Sequence, residues 1–153
     1  MDTMQFQNPT VGSLSGTQVI EELIEYVNDQ QGKAYEVTIG TDSSNLRNYS
    51  SFVSVIAIHR VGHGGRYFWH RFRRDSYRDL RSRIYREATR SIELARALTK
   101  RLEAELDRLP DAFDFDFKIH VDIGRNGPTH SMIQEIVGMV RGYGYSVRTK
   151  PDA

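Results

Sequence analysis

Residues 35–43 read YEVTIGTDS, and this stretch decides the fold. Apolar side chains recur along it at every second position until Asp42, which is followed by the small polar residues Ser43 and Ser44. Alternation of this kind is typical of a β-strand with one buried face. The stretch therefore predicts a core strand that ends on a carboxylate.

The composition predicts one α/β domain spanning residues 1–153. The chain has 153 residues, of which 39% are hydrophobic and 27% are charged, and this is enough to bury a single core. Residues 1–14 are polar and contain Pro9, so we expect a loose lead-in there. The chain has no apolar run of membrane length and no signal-peptide layout, so we expect a cytoplasmic protein without a membrane partner. The absence of cysteine excludes disulfides, thiolate metal ligands and a cysteine nucleophile.

The remaining patterns predict a helix, a three-strand meander, a long helix, a strand, a helix and a short strand. Ser15 and Gln18 form a capping-box signature before the first helix. The expected strands are residues 35–42, 50–60, 66–73, 113–123 and 145–149; the long helix is 77–109, and the last helix opens at Pro128. This order implies a mixed sheet in which parallel strands extend an antiparallel meander.

Several short stretches in this order resemble the YkuK-like family of uncharacterised bacterial ribonuclease H-like proteins. They read IGTDS at residues 39–43, REA at 86–88, HVDIG at 120–124, GYGY at 142–145 and KPDA at 150–153. The resemblance covers nearly everything from about residue 17 onward. It implies a ribonuclease H-like fold with an extra helix at the N-terminus.

Three acidic residues lie on separate predicted elements: Asp42, Glu87 and Asp122. Carboxylates from separate elements are the ligands that Mg²⁺ and Mn²⁺ prefer. The resemblance implies that these three hold two such ions and catalyse hydrolysis of phosphodiester bonds in RNA or DNA. We expect such a site to be poorly formed without metal, because nearby carboxylates raise one another's pKa. Asp152 is a further expected catalytic residue, although the chain stops at Ala153, and His130 is a second-choice helper.

Each of the three carboxylates also has an ordinary structural interpretation. Asp42 precedes Ser43, Ser44 and Asn45, so it fits an Asx-turn. Glu87 lies beside the apolar stripe of a charged helix and fits a solvated flank. Asp122 falls on the polar phase of its strand, which is usually the side that faces solvent.

Charge is distributed unevenly, with ten arginines between His59 and Arg90. Such asymmetry indicates a surface that attracts a polyanion. Within it, residues 67–74 interleave aromatic rings with cations. Tyr67 and Trp69 are expected on one face of the strand, and Phe68, His70 and Phe72 on the other. The expected nucleic-acid contacts are Ser43, Arg71, Arg73 and Arg74; a solvated helix flank is the alternative for the arginines.

The fold alone does not fix the function. A catalytically inactive nucleic-acid-binding or scaffold protein would keep the same sheet, and so would a protein-interaction module. The first would bind nucleic acid without cleaving it. The second would show no salt-sensitive affinity for any nucleic acid.

Overall fold

The computed structural model describes residues 1–77, 79–111, 115–123 and 130–149. Its strands and helices, in chain order, are β1 (Gln5–Asn8), β2 (Gly12–Ser15), α1 (Gly16–Asp29), β3 (Tyr35–Asn45), β4 (Tyr49–Arg60), β5 (Gly65–Asp75), α2 (Leu80–Ala104), β6 (Phe115–His120), α3 (Ile133–Gly142) and β7 (Ser146–Arg148). Short 3₁₀ turns follow α2 and precede α3. No helix in this part of the chain is long and apolar enough to cross a membrane.

The strands form one mixed sheet in the order β2-β1-β5-β4-β3-β6-β7. β3, β4 and β5 are the antiparallel meander, while β6 lies parallel to β3, and β7 lies parallel to β6. The predicted α/β mixed sheet flanked by helices is therefore confirmed. That the whole chain forms a single domain stays a prediction, which the one sheet and one core of the described residues support.

The expected loose lead-in at residues 1–14 is wrong. β1 and β2 instead form a hairpin at the edge of the sheet, in which Phe6 lies opposite Leu14 and both are buried. The Asn8 side chain fixes the turn by accepting hydrogen bonds from the backbone of Thr10 and Val11. Two strands of four residues, each with a single buried apolar side chain, give too short an alternation to read from sequence.

Several predicted boundaries shift because of local hydrogen bonds. The capping box of α1 is present as predicted, with Ser15 and Gln18 bonded to each other's backbone. α2 begins at Leu80 rather than near residue 77, because the Asp79 carboxylate accepts from the backbone N–H of Ser82 and caps it. β3 continues to Asn45 through the residues predicted as a turn.

The two faces of the sheet differ. α2 packs on the face that carries Ile39 and Thr41, where the Ser91 hydroxyl donates to Thr41 Oγ1 at 2.9 Å. α1 lies on the same face, because the Tyr35 hydroxyl donates to the Gln30 carbonyl that follows this helix. α3 lies beside α2, and its Ile136 and Val140 join the same core. The other face contains Asp42 and borders an open cleft.

Candidate active site

Asp42 and Asp122 reach the same cleft because β3 and β6 run parallel. Gly40 lies opposite His120 in the register of the two strands, and each aspartate follows two residues later. Parallel neighbours carry equivalent positions to the same end of a sheet. Both aspartates line an open cleft of about 730 Å³, whose wall also includes Arg71.

Glu87 approaches the same end of β3 from α2. Its side chain is only 6% exposed, and the Ser43 hydroxyl donates a hydrogen bond to its Oε1. Burial, and then the charges of Asp42 and Asp122, raise the pKa of Glu87 to about 7 against the lowering effect of the Ser43 bond. The charges of the other two predicted carboxylates therefore act on Glu87.

A chain of buried hydroxyls joins α2 to β3 and β4 one helical turn after Glu87. Thr41 Oγ1 and Ser54 Oγ lie 2.8 Å apart, and Ser91 donates to the same Thr41 oxygen. Ser91 follows Glu87 by four residues, so both side chains lie on one face of α2. Sequence reasoning placed Ser91 in the apolar stripe and missed its bond. A spacing in the sequence could have revealed this bond. Thr41 and Ser43 are two residues apart on a strand, and Glu87 and Ser91 are four apart on a helix, so each pair presents two polar side chains on one face.

The ordinary structural interpretations do not describe Asp42 and Glu87, whereas Asp122 lies on the open side of the sheet as the polar phase of its strand predicts. Asp42 pairs with Val53 inside β3, three residues before the strand ends, so it is not a turn residue. Glu87 is buried and is not a solvated flank. Asp122 lies beyond the end of β6, is half-buried and faces the cleft.

The donor chemistry fits a hard cation, since Asp42, Glu87 and Asp122 offer only carboxylate oxygens. Within residues 1–77, 79–111, 115–123 and 130–149, no group of three or more His, Cys, Asp or Glu side chains is arranged to hold a metal ion. Burial is the largest cause of the raised pKa of Glu87, and the charges of Asp42 and Asp122 act in the same direction.

The predicted phosphate contacts divide between the two faces of β5. Arg71 lines the cleft and donates to Ser51 Oγ at 3.2 Å, and Arg73 lies on the same face with its guanidinium 4.4 Å from the Tyr49 ring centroid. Arg74 alternates to the helix-covered face and lies over Phe72. Arg71 and Arg73 therefore lie on the cleft face of β5, and Arg74 lies on the opposite, helix-covered face.

The aromatic residues of β5 take the faces predicted for them. Tyr67 and Trp69 stack on each other on the cleft side, with ring centroids 5.9 Å apart. His70 and Phe72 stack on the other side, where Phe68 is fully buried.

Two further predicted residues lie away from the cleft or outside the description. His130 is exposed in the 3₁₀ turn before α3 and lines a separate small pocket with Ser131 and Gln134. Asp152 lies outside the described residues, as does Pro128, where the last helix was expected to open.

The fold and site together define a ribonuclease H-like protein, and comparison with known proteins agrees. The chain belongs to this family, because the family model described as "Ribonuclease H-like" matches residues 18–153. The chain is 30% identical over 165 residues to "Uncharacterized protein YkuK" of Bacillus subtilis (strain 168). That alignment covers 99% of this chain and 92% of the relative. No solved structure matches the chain significantly.

Proposed function

We propose that this protein is a Mg²⁺- or Mn²⁺-dependent nuclease that hydrolyses phosphodiester bonds of RNA or DNA. The observation that carries the proposal is that Asp42 and Asp122 line one cleft at the end of β3, while their charges act on Glu87, which reaches the same end from α2. Asp42, Glu87 and Asp122 would hold two ions, and Asp152 would act as a further catalytic residue. Such ions stabilise the attacking and leaving oxygens of a phosphodiester displacement when bound.

The residues around the carboxylates prepare the site for a charged ligand. Ser43 holds Glu87 in place through its hydroxyl, while Arg83 approaches the Ser43 carbonyl at 3.4 Å. Glu87 must lose its proton to act as a ligand, and its pKa of about 7 places that loss near neutral pH. Arg71 contributes a guanidinium to the same cleft, where it would contact a phosphate of the substrate.

Cleavage of a defined substrate panel tests the proposal. The panel contains single-stranded RNA, single-stranded DNA, both duplexes and the hybrid, each incubated with Mn²⁺. We expect the wild type to cleave at least one substrate and Asp42→Asn to cleave none, because the amide cannot balance the charge of the ions. Titration calorimetry with Mn²⁺ alone should show weaker binding by the variant.

Asp116→Asn is the matched control. Asp116 is an exposed aspartate on β6, six residues before Asp122, and its carboxylate forms an ion pair of 3.6 Å with Lys118. We expect it to cleave within about threefold of the wild type, because an exposed ion pair contributes little. Equal cleavage and equal Mn²⁺ binding by Asp42→Asn and Asp116→Asn would refute the metal site. Salt-sensitive nucleic-acid binding without cleavage by folded wild type would favour a binding protein instead.

A further inference from the structure

Three arginines surround one aromatic ring on the helix-covered side of the sheet. The guanidinium carbons of Arg74, Arg90 and Arg86 lie 4.9, 5.0 and 5.9 Å from the centroid of the Phe72 ring. Arg86 and Arg90 are four residues apart on α2, so their side chains are neighbours on the helix surface. We call these three arginines and Phe72 the Phe72 arginine cluster.

The positive charge of this cluster is only partly compensated. Glu93 is the one carboxylate that forms ion pairs with it among the described residues, at 3.6 Å from Arg86 and 3.5 Å from Arg90. Burial, with the like charges of Arg86 and Arg74, lowers the pKa of Arg90 despite Glu93. Three cations around one carboxylate leave a local excess of positive charge at a half-buried position.

Arg90 also has hydrogen-bond donors without a good acceptor. Its side chain is 17% exposed, and its Nε is buried with no partner among the described residues. Its Nη2 points at the sulfur of Met4 at 3.2 Å, and a thioether is a weak acceptor. A buried donor without an acceptor costs about 1–3 kcal/mol, and in native proteins it commonly marks a place for water or an ion.

The cluster lies close to the carboxylate site. Ser43, Phe52 and Phe72 are directly opposite one another on β3, β4 and β5. Because neighbouring strands are separated by about 4.8 Å, Phe72 lies about 10 Å across the sheet from Ser43. In B-form DNA this distance corresponds to about three nucleotides of rise along one strand. On α2, Arg86 directly precedes Glu87, so one helix supplies both sites.

We propose that the Phe72 arginine cluster is a second phosphate-binding site, which holds the backbone of the nucleic acid on the helix-covered side of the sheet, about 10 Å across the strands from Ser43. The inference rests on the proposed function for the identity of its ligand. Phosphate oxygens supply the missing negative charge and can accept hydrogen bonds from the guanidinium atoms of the cluster that remain exposed. A guanidinium can contact an aromatic ring through its flat face while donating hydrogen bonds from its edge. The arginines can therefore contact Phe72 and a phosphate at the same time.

The salt dependence of oligonucleotide binding tests this site without cleavage. Wild type and Arg86→Gln/Arg90→Gln are titrated with a fluorescent single-stranded DNA 20-mer in EDTA over a range of salt concentrations. Each lost phosphate contact lowers the slope of log K against log salt by about 0.7 for single strands, so we expect a decrease of about 1.4. Arg86→Lys/Arg90→Lys keeps both charges and should retain the wild-type slope while binding more weakly, because it loses the forked geometry.

Arg96→Gln/Lys100→Gln is the matched control. It removes the same two charges at the same spacing from the exposed, far half of α2. We expect its slope to equal that of the wild type. Equal decreases in both double variants would show a general electrostatic field and overturn the site. A second result would also overturn the site. Inorganic phosphate would raise the Tm of the wild type and not that of Arg86→Gln/Arg90→Gln, while the variant binds the oligonucleotide normally. The ligand would then be a small anion rather than a nucleic acid.

The same measurements separate this inference from the proposed function. Asp42→Asn should keep the wild-type slope, because it leaves the cluster intact. If the wild type cleaves no substrate and Arg86→Gln/Arg90→Gln lowers the salt slope, the nuclease is refuted and the phosphate site is supported. If the wild type cleaves a substrate and Arg86→Gln/Arg90→Gln keeps the wild-type slope, the nuclease is supported and the phosphate site is refuted.

Discussion

Charged groups at the two ends of β3 differ in whether they have partners of opposite charge. At its start, Glu36 accepts ion pairs from Lys118 at 3.1 Å and from Arg148 at 3.2 Å, which join β3 to β6 and β7. At its finish, neither Asp42 nor Glu87 forms an ion pair with any residue that the structure describes. Paired charges therefore lie at one end of β3. At the other end, Asp42 of β3 and Glu87 of α2 have no ion-pair partner among the described residues.

Two arginines show the same contrast. Arg60, near the start of β3, is 6% exposed; its Nε donates to the Tyr35 hydroxyl at 3.0 Å and its Nη2 to the Tyr26 carbonyl at 2.8 Å. Its guanidinium also lies 4.1 Å from the centroid of the Tyr26 ring. Arg90 has a similar ring contact, but its buried Nε has no partner in the part of the chain that the structure describes. Complete compensation indicates a structural role, whereas unused donors and acids indicate a place for a ligand.

Glu87→Gln should give the largest effect, because it removes the most strongly destabilised charge. The pKa of Glu87 is raised from 4.5 to about 7, so the folded protein binds a proton more tightly than the unfolded chain does. Stability contributed by the protonated group is present below pH 4.5 and is lost as pH rises through 7. At pH 8 in EDTA, the variant should be more stable than the wild type by about 3 kcal/mol. Urea unfolding at several pH values measures this difference.

The same substitution should abolish Mn²⁺-dependent cleavage, since an amide is a poor ligand for a hard cation. Higher stability with lost activity is the expected result for a functional site built from unfavourable charges. Glu103→Gln, at an exposed position on the same helix, is the control and should change neither property. A stability difference that is the same at pH 5 and pH 8 would contradict the assignment of the raised pKa.

Arg60→Met should destabilise the fold by an intermediate amount. The substitution removes the hydrogen bonds to Tyr35 and Tyr26 and leaves a buried carbonyl without its donor. We expect Tm to fall by roughly 5–10 °C for a chain of this size. Arg90→Met is the paired control, for which we expect Tm to stay within about 2 °C of the wild type or to rise. Thermal unfolding followed by circular dichroism gives both values, and a larger fall for Arg90→Met would invalidate the contrast.

The sequence predicts the sheet well because its core strands are long and strictly patterned. β3, β4 and β5 each have eleven or twelve residues, and their apolar positions give period and order together. The β1–β2 hairpin could not be predicted in this way, because Phe6 and Leu14 are single apolar residues in short polar segments. The pairing that joins this hairpin to the rest of the sheet is distant in sequence, since Gln7 of β1 lies opposite Trp69 of β5.

The candidate site was predictable as residue types and not as contacts. Asp42 and Asp122 could be placed at the ends of strands from the pattern of the chain, and parallel pairing then brings them together. The bond from Ser43 to Glu87 depends on the rotation of α2 over β3, which the hydroxyls of Thr41 and Ser91 set. The grouping of Arg74 with Arg86 and Arg90 depends on the same packing. Long-range side-chain contacts of this kind leave no periodic signal in the sequence.

Glu36→Gln should give the smallest effect, although Glu36 contacts two cations. Lys118 and Arg148 are 23% and 40% exposed, and Lys118 retains Asp116 at 3.6 Å after the substitution. Ion pairs at such positions contribute at most about 1 kcal/mol, and salt screens them. We expect urea unfolding to show a loss below about 1 kcal/mol that decreases in high salt, with Glu103→Gln as the control that forms no ion pair among the described residues. A loss larger than that of Arg60→Met would mean that the ion pairs joining β3, β6 and β7, rather than the buried arginine, stabilise this end of the sheet.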